Sequence, residues 1–216
     1  MAKFLRITWH EMMVYNRSYN MIFYNAQFLI LSLLCLLFVY PGNQNLSTLG
    51  CVFLIAGIPI SSIATSKAII KNDLEDGSIA LYLLSMNITE IVMCKFCALL
   101  ICNAVAFLTS LPVITLLYSL SLHQIFLLLS VSLLFVQISA LSLLISCVES
   151  YFRSNVNFIS SIIVPLILPG LIISGLIMHS SINYHIGISA LTGITLIITP
   201  IALICSGYLI RNIYNI

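Results

Sequence analysis

Apolar residues gather into six windows, at about 21–40, 48–66, 95–118, 124–147, 158–178 and 188–209. Each is close to the roughly 20 residues that a helix needs to cross a bilayer. The connections are short and polar: PGNQNLS, a charged stretch over 67–94, SLSLH, ESYFRSNVN, HSSINYHIG and the terminal RNIYNI. None is long enough for a separate soluble domain. The pattern predicts one all-α polytopic membrane domain over 1–216 with six transmembrane helices, because in lipid the backbone groups must be satisfied within each helix.

A further element precedes the first window. At 100° per residue, Lys3, Arg6, His10 and Arg17 fall within about 60° of one another, and Phe4, Leu5, Trp9, Met12 and Tyr15 take the facing arc. Ile7, Glu11 and Val14 fall off that pattern. Residues 1–20 read as an amphipathic helix lying on the membrane interface, with a plain basic flank as the alternative. The first apolar run begins late for a secretory signal and is long enough to span. It is expected to stay as a membrane helix.

Composition strengthens the membrane reading. The chain is 61% hydrophobic and 6% charged, against about 25% charged in a soluble domain, so polar cover for a water-soluble fold is lacking. A net charge of +2 gives no case for nucleic acid. With six spans, all eight Lys and Arg and all six Asp and Glu fall on one side. Basic residues mark the cytoplasmic side, so both termini are predicted inside. His123, His179 and His185 fall on the opposite side, as interface anchors or as ligands.

Catalytic chemistry is hard to find. There is no P-loop, H-E-x-x-H or G-x-S-x-G, and the acids lie across the membrane from the loop histidines. Most of the seven cysteines sit in apolar runs as small hydrophobes. Cys94 and Cys97 form a C-x-x-C with no second pair to complete a zinc site. No catalytic residue, metal site or directly bound cofactor is expected. Pro59, Pro112, Pro165, Pro169 and Pro200 fall within spans and can kink them. The pair Pro165 and Pro169 is expected to bend or break span five, as ordinary membrane-helix prolines or as a flexible element near a transport path. Ser132, Ser139, Ser142 and Ser146 share one face of span four, with Gln137 nearby. That face suits close helix packing or, alternatively, a polar pathway. No ionisable residue is placed deep within a window, which argues against an ion-coupled carrier.

The informative stretch is KAIIKNDLEDGSIALYLLSMNITEIVMC, over 67–94. Asp73, Glu75 and Asp76 are three of the chain's six acids. Asn72 or Asp73 can open a helix, and Asp76-Gly77 favours a turn. Asn87 with Glu90 matches a capping box just before span three. The stretch predicts one or two short helices joined at Gly77. Ile79, Leu81, Tyr82, Leu83 and Leu84 make its second half apolar, as a partner's groove would require. A solvated connection is the alternative.

The run N-D-L-E-D-G-S-I-A-L-Y-L-L-S, followed by E-I-V-x-x-K entering a span, resembles the CcmB family. These are the six-span permease subunits of haem-exporter-type ABC transporters in cytochrome c maturation. The resemblance covers essentially the whole chain, including the basic N-terminal helix, the loop position after span two and a P-L-x-x-P-like element at Pro165–Pro169. The chain departs from the family pattern at Ala80, where an acid is usual, and at Asn72, where Arg is usual. The resemblance implies an ABC-2-type permease-like fold with a coupling loop over 67–90. In it Asp73, Leu74, Glu75, Asp76, Gly77 and Ser78 would dock on a separate CcmA-like ATPase that binds the ATP. It further implies a CcmC-like membrane partner, a CcmE-like haem chaperone, surrounding lipid and, with paired ATPases, a second copy of the chain. Haem would be the transported substrate, with His123, His179 and His185 on the side of the chaperone. Two alternatives stay open: a mechanical coupling subunit that does not itself conduct haem, and a permease for a lipid or glycan. The implied location is a bacterial inner membrane, with a mitochondrial inner membrane as the alternative.

Overall fold

The computed structural model describes residues 2–39, 46–66, 69–130, 132–152, 157–178 and 183–214. Among the described residues the chain forms ten helices and no strand. They are α1 (Ala2–Tyr19), α2 (Met21–Val39), α3 (Leu46–Ser66), α4 (Ile69–Glu75), α5 (Ser78–Leu83), α6 (Ile88–Tyr118), α7 (Leu122–Ser130), α8 (Leu133–Phe152), α9 (Asn157–Met178) and α10 (Tyr184–Tyr214).

Local chemistry sets several of these boundaries. Asn20 alone separates α1 from α2, at φ 45, a left-handed conformation that Asn tolerates better than most residues. Its carbonyl accepts the Tyr24 N–H at 2.9 Å. The Asn87 N–H donates to the Glu90 carboxylate at 3.1 Å, so the capping box read from the sequence opens α6 where expected. From there α6 runs for 31 residues, about 46 Å at the usual helical rise.

Among the described residues three helices, α6, α8 and α10, are long and apolar enough to cross a membrane. The windows at 21–40, 48–66 and 158–178 hold α2, α3 and α9, with shorter apolar stretches Met21–Leu34, Leu49–Ile63 and Pro165–Met178. The fourth window is divided: α7 ends at Ser130 and α8 begins at Leu133. Span five, expected to bend or break, is one continuous helix through Pro165 and Pro169. A neighbour supports it there, which is how membrane helices tolerate proline. Gln137 of α8 donates to the Leu166 carbonyl at 2.9 Å. Gly170 permits that approach, because a Cβ in its place would run into Gln137 Oε1.

The core centres on α8, which touches α3, α4, α6, α9 and α10 and buries Leu134, Ile138, Ala140, Leu141, Leu143 and Ile145. Ser139, Ser142 and Ser146 of its hydroxyl face are buried, whereas Ser132 is exposed. Ser139 and Ser142 join a polar layer. The Asn103 amide on α6 donates to Ser62 Oγ at 2.9 Å and to Ser139 Oγ at 3.1 Å. Its Oδ1 accepts from Asn25 Nδ2 at 3.0 Å. Ser62 and Ser142 bond at 3.1 Å, and Thr65 donates to Asn25 Oδ1 at 3.1 Å. Four helices, α2, α3, α6 and α8, are thus cross-linked by satisfied polar groups, the glue of membrane bundles. Outside, Leu116, Leu196 and Ile204 are 83%, 74% and 71% exposed, a surface suited to lipid.

Candidate coupling site

The stretch over 69–83 folds as a helical hairpin with two unlike faces. Its inner face is fixed by Ile69, Ile70 and Ile79, all essentially fully buried. The Ile70 N–H also donates to Ser146 Oγ of α8 at 3.0 Å. The turn between α4 and α5 closes with the Asp76 N–H on the Asn72 carbonyl at 2.8 Å. Gly77 follows at φ 69, where most residues other than Asn or Asp would cost about 1–2 kcal/mol. Ser78 Oγ donates to the Asp73 carbonyl at 3.2 Å and braces the turn, while Leu74 is half-buried. The outer face presents Glu75, Asp76 and Ala80, with Leu81 and Leu84 at 67% and 85% exposure. Two acids and two leucines are therefore exposed on the hairpin and just after it.

Asp73 is separated from the other two acids. Its carboxylate turns inward to Lys95 Nζ, 2.5 Å away, and the same ammonium lies 3.0 Å from Glu11 Oε2. The Lys95 and Glu11 side chains are 1% and 4% exposed. The rings of Tyr15 and Tyr82 flank the ammonium, with centroids at 5.8 and 5.9 Å, close enough for cation–π attraction. Two carboxylates thus share one cation. Burial pushes the Asp73 carboxyl above its usual range; Lys95 pulls it back down, and Glu11 adds to the upward push. Burial, then the same two acids, also raises the Tyr15 hydroxyl.

Sequence reasoning missed this cluster. Lys95 reads as a topology-setting charge beside the loop, yet it is the eighth residue of α6 and fully buried. Two signals pointed to it. Lys95 stands between apolar IVMC and FCALL, and an ionisable group in such a run must find a partner. Glu11 falls off the amphipathic pattern of α1, and it is that partner.

The pairing also divides α1 into three faces. Thr8, Glu11 and Tyr15 are buried, on the side that packs against α6. Leu5, Trp9 and Met13 form a second, exposed stripe at 65%, 60% and 49%. Lys3, Arg6, His10 and Arg17 form the third, also exposed. The apolar arc expected from the sequence is thus split, with Tyr15 inside and Leu5 and Trp9 outside. One bond ties the basic face to the hairpin and one to the residues just after it: the Tyr82 hydroxyl meets His10 Nδ1 at 3.3 Å, and Lys3 Nζ donates to the Ser85 carbonyl at 2.5 Å.

Residues 2–210 match the CcmB protein family. The chain belongs to the CcmB family. Relatives include uncharacterized proteins of Rickettsia prowazekii, 35% identical over 207 residues, and Rickettsia conorii, 34% identical over 207 residues, each covering 95% of both chains. CcmB proteins are transmembrane subunits of ABC transporters linked to haem export and cytochrome c biogenesis, and are transporter subunits rather than catalysts.

For this CcmB chain, His123 and His185 are exposed near the starts of α7 and α10. That end is remote from Lys95, since α6 carries the chain about 35 Å from Lys95 to Tyr118 before His123 follows. His179 lies outside the described residues. Among the described residues no group of His, Cys, Asp and Glu could hold a metal ion. A cavity of about 260 Å³ between α2 and α3 is lined by Tyr24, Asn25, Gln27, Phe28, Leu31, Ser61 and Thr65. It is below the size of pockets that enclose drug-sized ligands, and its lining offers no His, Cys or Met to haem iron.

Proposed function

We propose that this chain is the membrane coupling subunit of a haem-exporter-type ABC transporter, in which a separate CcmA-like ATPase grips the α4–α5 hairpin. The single observation that carries this is the two-faced hairpin: an inner face anchored on α8, and an outer face of Glu75, Asp76, Leu81 and Leu84 around the Gly77 turn. Acids at such a surface orient the encounter, and exposed leucines supply contact area to be buried. In this reading Asp73 and Ser78 shape the hairpin from within, while Glu75 and Asp76 meet the ATPase.

The finer architecture belongs to the same proposal. Six spans, with both termini and the hairpin in the cytoplasm, put every described charge on one side. On that side α1 lies at the inner leaflet, its Leu5–Trp9–Met13 stripe in lipid and its basic face towards headgroups. A bacterial inner membrane agrees with bacterial relatives. A CcmC-like protein, a CcmE-like chaperone and a second copy of the chain complete the assembly, and closure of the ATPases would shift the helices below the hairpin as rigid bodies.

A second reading assigns the chain no haem pathway of its own. Here ATP hydrolysis releases the haem-loaded chaperone, and no haem passes through these helices. Charge reversal, Glu75→Lys with Asp76→Lys, should abolish co-purification of the ATPase while membrane insertion stays intact; retained co-purification rejects the docking site. Reconstitution with a hydrolysis-dead ATPase separates the two outputs. Haem that reaches the chaperone, with the loaded chaperone left bound, identifies release instead of export.

A further inference from the structure

The hairpin and the long helix beside it are joined in a way that needs explanation. Between α5 and α6 the helical path is broken: Asn87 is extended, at φ −75 and ψ 153, and Leu84 and Ser85 are exposed. A push on the hairpin could therefore be absorbed by pivoting about residues 84–87. Opposing that pivot is Lys95, whose ammonium is bonded to Asp73 of α4 and Glu11 of α1 and flanked by Tyr15 of α1 and Tyr82 of α5. Lys3 adds a brace on the pivot itself, through the Ser85 carbonyl.

Packing alone does not call for a lysine here. Burying an ammonium and two carboxylates forfeits their hydration, and apolar side chains of similar volume commonly hold such a site as well or better. Charged hydrogen bonds to fixed partners add register: an apolar contact can slide, whereas a buried ammonium cannot leave its carboxylates without stranding them. Further along α6, about 12 Å from Lys95, the Asn103 amide binds α2, α3 and α8 through Asn25, Ser62 and Ser139. A displacement of α6 at Lys95 thus reaches the polar layer of the bundle.

We propose that Lys95 is a positioning residue for energy coupling, pinning the α4–α5 hairpin and α1 to α6 so that the hairpin's movement drives α6 instead of bending residues 84–87. This rests on the reading of the hairpin as the ATPase-docking element. Glu11 and Asp73 are the two jaws of the clamp. α1, through Glu11 and Tyr15, is part of the moving unit.

The test uses the membrane complex with its ATPase subunit and spin labels at the exposed positions Ala80 and Leu108; because Ala80 lies on the proposed docking face, co-purification of the ATPase with the labelled parental chain is established first. Because Lys95→Met alone strands two buried carboxylates, the charge-free triple variant Glu11→Gln/Asp73→Asn/Lys95→Met carries the experiment. With parental Glu11, Asp73 and Lys95, the 80–108 distance should stay constant within about 1 Å between the nucleotide-free and ATP-bound states. In the triple variant, the ATPase should still co-purify and hydrolyse ATP, but ATP should shift the distance by more than about 2 Å, the scale of helix displacements in switching proteins. A constant distance in the triple variant overturns the proposal and leaves Lys95 a structural residue. An ATP-driven shift of similar size in the labelled chain with Lys95 intact overturns it too. Absence of the ATPase from the unlabelled parental complex instead rejects the docking reading, and this role falls with it.

Discussion

Replacing Lys95 with Met should destabilise the chain far more than deleting the whole charged cluster. The single substitution leaves the Glu11 and Asp73 carboxylates buried, with side chains only 4% and 14% exposed, and no cation between them. Unpairing a buried charge in this way costs about 3–5 kcal/mol. For a chain of this size that corresponds to a fall of roughly 6–20 °C in Tm. The triple variant Glu11→Gln/Asp73→Asn/Lys95→Met removes the stranded charges and should fall within about 1–2 kcal/mol of the parent, on either side. The pH dependence has a definite sign. Burial already holds the Asp73 carboxyl above its usual range with Lys95 in place. The folded state therefore binds that proton more tightly than the unfolded chain. The resulting stability is complete below the ordinary aspartate range and is lost as pH rises through the raised native value. Removing Lys95 takes away the downward pull and extends that window to higher pH. Lys95→Met should accordingly recover stability between about pH 8 and pH 5, by up to about 1.4 kcal/mol per unit for each proton taken up. Thermal unfolding in detergent, followed by fluorescence-detected size exclusion at both pH values, reads this directly. A Lys95→Met variant as stable as the parent, or more stable at the higher pH, would refute the reasoning.

Other consequences are sharper at single sites. Gly77→Ala should lower stability by about 1–2 kcal/mol through its left-handed backbone alone, since nothing lies within 4 Å of the added Cβ; restored stability in Gly77→Asn, measured by thermal unfolding, would confirm that cause. Asp73→Asn should retain ATPase co-purification where Glu75→Lys/Asp76→Lys loses it, because Asp73 faces Lys95 and the other two face outward; equal loss in both pull-downs would remove that distinction. Asn103→Leu should cost about 1–3 kcal/mol by leaving Asn25 and the Ser62 and Ser139 hydroxyls short of a partner, seen as a lower Tm in detergent. Gly170→Ala should force α9 from α8 at the Gln137 contact, costing about 1–3 kcal/mol by overpacking, and Gln137→Ala in the same chain should recover part of that loss.

Much of the architecture was legible because it follows from local rules. Apolar length marked the helices, Asn87 and Glu90 marked the start of α6, and Asp76-Gly77 marked the hairpin turn, each depending on residues close in sequence. The turn at Ser132, between α7 and α8, was not legible. Residues 124–147 carry no proline or glycine, so nothing local distinguishes a broken helix from a continuous one. The converse held in α9, where two prolines suggested a bend or a break and the helix runs on uninterrupted, with Gln137, some 30 residues earlier, bonded to its Leu166 carbonyl. The serine face of α8 was legible as a packing surface, but its partners Asn25, Ser62 and Asn103 sit on three other helices that periodicity cannot bring together.

The acids show the same limit more consequentially. In one dimension Asp73, Glu75 and Asp76 look equivalent, a patch that keeps a loop out of lipid. A helical turn separates them. Residues 73 and 76 differ by about 300° at 100° per residue while α4 lasts, but α4 ends at Glu75 and the Gly77 turn carries Asp76 outward. What fixes Asp73 inward is Lys95, 22 positions away, and what makes Lys95 tolerable there is Glu11, another 62 positions from Asp73. Neither long-range pairing is visible from spacing. Each was foreshadowed by a residue in the wrong place: a lysine in an apolar run and a glutamate off the pattern of an amphipathic helix. In lipid, where a lone charge is expensive, two such misfits on opposite signs are best explained by one another. That inference needs no structure, and here it leads to the clamp that joins the outward acids to the helix they are proposed to move.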